Sequence, residues 1–287
     1  MSGNLVVERR TVDVGDGMRL HVAIGGSGPP LVMLHGFTGS AESWAPLRAG
    51  LGASHTTIAI DLPGHGGSSA PDEPARYALD RFADDLARVL DALGIGRVAL
   101  LGYSMGGRAA LRFALRQPGR LAALLLESTS AGIGDPARRA ERRASDDALA
   151  DAIERDGVHA FVERWERLPL WESQRALPDE VRALLRAQRQ DNVPHGLANS
   201  LRGAGAGVDR PVDDRLSDIR APTLLVVGAL DTRFVALGRL LEAALPNART
   251  IVVPEAGHAV HVERPQHFTT AVTEFLRDAP SAMGQWR

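Results

Sequence analysis

A chain of 287 residues, 44% hydrophobic and 24% charged, holds one large globular domain or one domain with an insertion, and its formal charge of −2 excludes a dedicated nucleic-acid binder. It has no cysteine, and all 33 of its cationic residues are arginine. That excludes disulfides, thiolate nucleophiles and Cys-ligated zinc, and it removes Schiff-base catalysis and a Walker-type phosphate lysine. No apolar run approaches the roughly 18 residues of a membrane span, and Met1-Ser2-Gly3-Asn4 begins no signal peptide, so the expectation is a cytoplasmic protein with no membrane partner. Oligomeric state is left open, a monomer being sufficient.

The chain begins with two alternating runs, 6–14 and 18–24, joined by Gly15-Asp16-Gly17, which predict an antiparallel hairpin at a sheet edge. Short apolar runs follow at 31–34, 57–60, 98–101, 121–126, 223–227 and 250–253, separated by helical patterns such as Leu79, Phe82, Ala83, Leu86, Val89, Leu90 and Leu93. Strands apolar on both faces and spaced by helices predict a parallel sheet covered on both sides. The alternation stops over residues 131–207, where four helical patterns (137–155, 158–166, 179–189 and 196–201) occur without a strand. The expected organisation is therefore an α/β core in two parts, 1–130 and 208–287, with 131–207 as a helical cap over the C-terminal edge of the sheet. Gly203-Ala204-Gly205-Ala206-Gly207 reads as a flexible return from cap to core.

Gly102-Tyr103-Ser104-Met105-Gly106 stands between the apolar run 98–101 and the helical segment 108–115. Strand, sharp turn and helix are the setting in which G-x-S-x-G forms a nucleophile elbow. A serine hydroxyl needs a histidine, and the histidine needs an acid to orient it, in the chain order serine, acid, histidine. Asp231, just past the 223–227 run, and His258, just past 250–253, meet that order; His261 is the competing histidine. Asp213, Asp214 and Asp218 precede their strand and read as surface charges. An oxyanion pocket takes one N–H from Met105 and one from the loop His35-Gly36-Phe37-Thr38-Gly39, assigned to Phe37, with His35 bracing the loop. Asp61-Leu62-Pro63-Gly64-His65-Gly66 reads as architecture.

These pieces resemble the α/β-hydrolase superfamily over the whole chain, which implies a mostly parallel sheet flanked by helices with a cap insertion, and a triad of Ser104, Asp231 and His258. Residues of the cap and elbow narrow the resemblance. Arg108 lies one turn after the serine and should lean back toward it. The cap holds 12 Arg against 13 Asp and Glu, so placement matters more than number. At about 100° per residue, Arg142 shares a line with Leu149 and Ile153, with Arg138 close to it, whereas Arg139 and Arg143 project away.

With His35-Gly36-Phe37, the Tyr103-Ser104-Met105-Gly106-Gly107-Arg108 core, Glu127-Ser128, Gly132, Phe161, Trp165, Pro169, Arg189, Asn192, Phe234, Ala256-Gly257-His258, His261 and Glu263, the chain is similar to the 2-succinyl-6-hydroxy-2,4-cyclohexadiene-1-carboxylate synthases of menaquinone biosynthesis. It departs from them at Thr38, Ala131 and Arg233, where leucine, proline and lysine are more usual. The resemblance implies a lyase with no cofactor, acting on a small polycarboxylate. Ser104 would accept a ring proton, supported by Asp231 and His258, and pyruvate would be eliminated. Tyr103, Arg108, Arg142, Trp165 and Arg189 would hold the substrate, since arginine forks pair bidentately with carboxylates. The triad alone is equally compatible with a serine carboxylesterase or carbon–carbon bond hydrolase. A non-catalytic ligand-binding member of the fold is the third alternative, though it predicts a damaged triad.

Overall fold

The computed structural model describes residues 6–278, so Met1 to Asn4 lie outside the described residues. Eight strands form one sheet in the order β1-β2-β4-β3-β5-β6-β7-β8: β1 Val7–Asp13, β2 Arg19–Gly26, β3 Pro30–Leu34, β4 Thr56–Ile60, β5 Val98–Tyr103, β6 Leu121–Glu127, β7 Thr223–Gly228 and β8 Ala248–Val253. The opening hairpin pairs antiparallel, Val7 opposite Gly25 through Asp13 opposite Arg19, and β2 runs antiparallel to β4. Every later pairing is parallel. Strands β3, β5, β6 and β7 are buried nearly throughout, as their unbroken apolar runs require. Strand β8 is an exception to the expectation of burial. It ends the sheet, only Val253 of it is buried, and Val252 is 40% exposed, so one edge and part of one face meet water.

Helices α1 Arg48–Gly52, α2 Leu79–Ala92 and α3 Met105–Arg116 lie before the insertion. The insertion between β6 and β7 holds α4 Pro136–Trp165, α5 Asp179–Gln190 and α6 Pro194–Ala204; α7 Thr232–Ala244, α8 Val260–Glu263 and α9 Pro265–Asp278 complete the core. The two sheet faces carry separate apolar layers. One gathers Leu86, Val89, Leu90 and Phe113 from α2 and α3, the other Trp44, Phe268 and Phe275. A third, smaller cluster of Ile153, Phe161, Val162, Leu197 and Leu201 belongs to the inserted helices, with Phe37 packed against it. Each such side chain contributes roughly 1.5–3 kcal/mol on burial, so the insertion has a core of its own. No helix of the described residues is long and apolar enough to cross a membrane.

Two features of the insertion differ from the sequence expectation. The patterns at 137–155 and 158–166 form one element broken at Gly157, whose φ of 82° and ψ of 167° are non-helical. The glycine-rich return is also packed tight: Gly203, Ala204, Gly205 and Gly207 are buried, and the first two belong to α6. A β-carbon on Gly203 would lie 1.9 Å from the Pro74 carbonyl oxygen, and one on Gly207 2.2 Å from the Arg143 nitrogen. The glycines are there for backbone contact, and flexibility plays no part.

Candidate active site

The strand order reverses between β3, which pairs with β4 on one side, and β5 on the other, and ligands of open α/β sheets bind at the carboxyl ends of strands at such a point. The loops that leave those two strands carry Phe37 and Ser104. Ser104 has φ 51° and ψ −110°, a conformation that non-glycine residues rarely adopt. Its neighbours permit the turn because a β-carbon on Gly102 would meet the Gly106 carbonyl oxygen at 2.3 Å, and one on Gly106 would meet that of Leu34 at 2.3 Å. The Ser104 N–H donates to the Glu127 carbonyl at 2.9 Å, and the Thr129 hydroxyl donates to the Ser104 carbonyl at 2.7 Å. Loops after β5 and β6 are thus locked together under the hydroxyl.

The predicted triad meets in space. His258 Nε2 lies 3.1 Å from Ser104 Oγ, and His258 Nδ1 lies 2.8 Å from Asp231 Oδ2. The other carboxylate oxygen of Asp231 accepts from the Phe234 N–H at 3.2 Å, which caps α7 and fixes the carboxylate. His258 is 3% exposed and sits among the rings of Tyr103, Trp171 and Phe234, with centroids 5.4, 5.6 and 4.5 Å away. That apolar enclosure keeps bulk water from competing for its proton. His261 is engaged elsewhere: its backbone N–H and its Nδ1 both contact the fully buried Glu127 carboxylate, at 3.0 and 2.9 Å.

The surrounding loops follow the architectural expectation. His35 Nε2 accepts from the Leu62 N–H at 3.0 Å, and its Nδ1–H donates to the Gly36 carbonyl at 2.7 Å. Asp61 accepts from the backbone of Ala41 and Gly67 and contacts His21 Nδ1. Asp213, Asp214 and Asp218 are exposed. Thr38, beside Phe37, holds φ 70°, and cap residue Asn192 donates to its carbonyl at 3.0 Å. Met105 is the first residue of α3, a position whose N–H has no intrahelical acceptor.

A cavity of about 220 Å³ opens over the triad, with Ser104, His258, Phe37, Tyr103, Met105 and Trp165 in its wall. Burial pushes the Tyr103 phenol well above its ordinary value, with the Glu127 carboxylate adding to the shift, so it stays a protonated donor. Its oxygen has no hydrogen-bond partner among the described residues. Three arginines, Arg108, Arg142 and Arg233, also line the cavity.

The arginines differ from expectation in instructive ways. Arg108 reaches the cavity, but its Nη1 donates to Asp209 at 2.9 Å and its Nη2 to the Ala204 carbonyl at 2.7 Å. It does not lean freely toward the serine. Arg142 lines the cavity with its side chain 43% exposed and its Nε on Asp146 at 2.7 Å. The predicted inward line of α4 is met: Ile153 is buried, Leu149 is half-buried and lines the cavity with Arg142, and Asp146, one turn after Arg142 on the same side, is buried with Ala150. Arg189 does not line this cavity; it bonds Glu166 and Gln174, lies 5.1 Å from the centroid of Trp171, and lines an adjoining pocket with Phe37, Tyr103 and Trp171. Arg138 is exposed, as is Arg143, while Arg139 is half-buried. Trp171, Ser200 and Thr129 line the cavity without any sequence signal beyond their place in the cap or at a strand end, and Arg233 was visible only as a departure from the usual lysine.

Comparison with known proteins agrees with this geometry. The family model described as the alpha/beta hydrolase fold matches residues 29–265. A protein of Bacillus subtilis (strain 168), provisionally named 2-succinyl-6-hydroxy-2,4-cyclohexadiene-1-carboxylate synthase, is 44% identical over 267 residues, covering 92% of this chain and 97% of that protein. The 2-succinyl-6-hydroxy-2,4-cyclohexadiene-1-carboxylate synthase of Serratia proteamaculans (strain 568) is 32% identical over 249 residues, with 86% and 93% covered. Among solved structures, MenH from S. aureus superposes with a TM-score of 0.85 at 36% identity, covering 88% of this chain and 94% of that one.

Proposed function

The chain belongs to the α/β-hydrolase family and, within it, to the 2-succinyl-6-hydroxy-2,4-cyclohexadiene-1-carboxylate synthases, and from that premise we propose that it is the lyase that forms this diene by eliminating pyruvate from 2-succinyl-5-enolpyruvyl-6-hydroxy-3-cyclohexene-1-carboxylate. The observation that carries the proposal is a triad hydroxyl opening into a cavity walled by three guanidinium groups, which suits a ligand with several carboxylates.

The chemistry follows from the substrate's bonds. The ring proton at C2 lies beside the succinyl ketone and is the acidic one. Ser104 Oγ, its own proton drawn toward His258 Nε2, takes that C2 proton; Asp231 stabilises the imidazolium that results. Negative charge develops on the ketone oxygen, for which the N–H groups of Phe37 and Met105 are the donors. The electron pair re-forms as a C2–C3 double bond, the existing C3–C4 bond shifts to C4–C5, and the C5–O bond breaks. The departing enolate takes up a proton and becomes pyruvate. No bond to Ser104 forms, so water is not a reactant. Tyr103, Trp165, Arg108 and Arg142 act as the wall that holds the ring, and Arg189 acts indirectly by fixing Trp171. We take the reaction to be cytoplasmic, since a polyanionic substrate does not cross bilayers unaided and has to be made and used on the same side of a membrane.

Release of pyruvate from the purified protein and its cyclohexene substrate, followed by coupled oxidation of NADH, is the decisive assay. We expect turnover, with Ser104→Ala lowering kcat by about 10³-fold or more. A burst of p-nitrophenol from simple esters and a stable fluorophosphonate adduct, with no pyruvate formed, identifies a serine esterase instead.

A further inference from the structure

We propose that Arg233 is a substrate-binding residue: it anchors a carboxylate at the rim of the triad cavity and makes the site prefer ligands with two or more carboxylates over monoanions. This rests on the lyase reading above. Of the three arginines in the cavity wall, Arg108 has both terminal nitrogens bonded to protein and Arg142 has its Nε on Asp146. Arg233 makes no hydrogen bond or ion pair among the described residues. Its guanidinium carbon lies 5.7 Å from the Phe234 ring centroid, and that ring lies 4.5 Å from His258. An unpaired cation therefore stands one aromatic ring away from the catalytic imidazole.

Apart from its contact with the Phe234 ring, its place in the chain is electrostatically unfavourable. Arg233 is the second residue of the 13-residue helix α7, where the helix dipole is positive and a cation is disfavoured. The first turn of α7 holds no acidic residue to offset it. Asp231, the capping carboxylate just before, is engaged by His258 and by the Phe234 N–H. Local rules broken with no charge to offset them cluster at functional positions. The side chain is exposed, so its fork can turn to meet a carboxylate bidentately. Arg233 comes from the core and Arg142 from the cap. A ligand with two carboxylates engages both, whereas a monoanion satisfies one.

The test uses Arg233→Ala and Arg233→Lys in the full-length protein, assayed for pyruvate release, and the same changes in a Ser104→Ala background titrated by calorimetry with 2-succinylbenzoate, the dehydrated aromatic counterpart of the product. We expect Arg233→Ala to raise KM and Kd about tenfold or more, with kcat changed less than about threefold, because a rim charge pair binds ground state and transition state alike. Lysine restores most of the loss. Thermal stability of Arg233→Ala is equal to or above the parent, which a structural role would not produce. KM and Kd within twofold of the parent overturn the proposal. If the parent itself releases no pyruvate, the lyase reading fails separately, and calorimetry with the dicarboxylate still decides the role of Arg233.

Discussion

Ser104 holds its hydroxyl out at φ 51°, a strain of about 1–3 kcal/mol that the flanking backbone contacts must sustain. Such a residue could be located from the sequence because the elbow needs glycine on both sides and a strand before it, all local features. Asp231 and His258 were equally legible, since each follows an identifiable strand. The arginines were not. Whether Arg108 is free depends on Asp209, 101 residues away, and periodicity carries no information about that pairing. Arg142 was found, though its partner Asp146 occupies the inward position. Replacing Arg142 by alanine should raise KM for pyruvate release about five- to 150-fold, the effect of one charge-assisted hydrogen bond of about 1–3 kcal/mol. It also leaves the buried Asp146 carboxylate without its cation. The double change Arg142→Ala/Asp146→Ala should therefore recover urea stability relative to Arg142→Ala without recovering KM. If both recover together, the KM effect of the single change came from disturbed packing.

Between elements, the cap return shows how composition misleads. A run of three glycines in five residues has the appearance of a linker, yet its backbone packs on Pro74 and on Arg143 of helix α4. Glycine permits flexibility and close approach alike, and only tertiary contact decides which. Gly207→Ala should cost about 1–3 kcal/mol in urea unfolding, because the clash is with backbone that has no rotamer to yield. Gly134→Ala, where a β-carbon meets nothing within 4 Å, is the control and should change stability by less than about 0.5 kcal/mol. Equal effects at the two positions would contradict the packing account. Strand β8 is the complementary case: its apolar run read as buried, but its place at the end of the sheet was set by strand order, which no single run encodes.

Across the molecule, the strand count, the hairpin and the position of the helical insertion were all legible, because long-range order here repeats a simple strand–helix unit. Histidine burial was not, and it governs the response to acid. His65 is held at about 3 by burial, reinforced by the neighbouring His35 5.0 Å away. Unfolded, its imidazole takes a proton near 6.5, so between those values the unfolded chain binds the extra proton. Stability therefore falls as pH falls, by about 1.4 kcal/mol per unit from this group. His35, also lowered by burial, acts in the same direction. His21 is raised, chiefly by its hydrogen bond to Asp61; its contribution is complete below the unfolded pKa and disappears only as pH rises through the folded one. It cannot offset the acid loss. Urea unfolding between pH 6.5 and 5 should show a fall of about 2 kcal/mol or more, and His65→Asn should flatten that slope. An unchanged slope would place the acid sensitivity elsewhere.

Asp209 has a consequence for any attempt to exchange the roof of this scaffold. Its carboxylate bridges Arg108 and Arg112, on successive turns of the helix that begins at the nucleophile. A graft spliced at the last glycine of the return, with a foreign sequence running past it, would strip the enclosed Arg108 of its carboxylate and leave Arg112 only its looser pairing with Asp80 at 3.7 Å. A chimaera has to carry Asp209 with the recipient's floor, or supply an acid at the same spot, before its donor helices can be judged on their own chemistry.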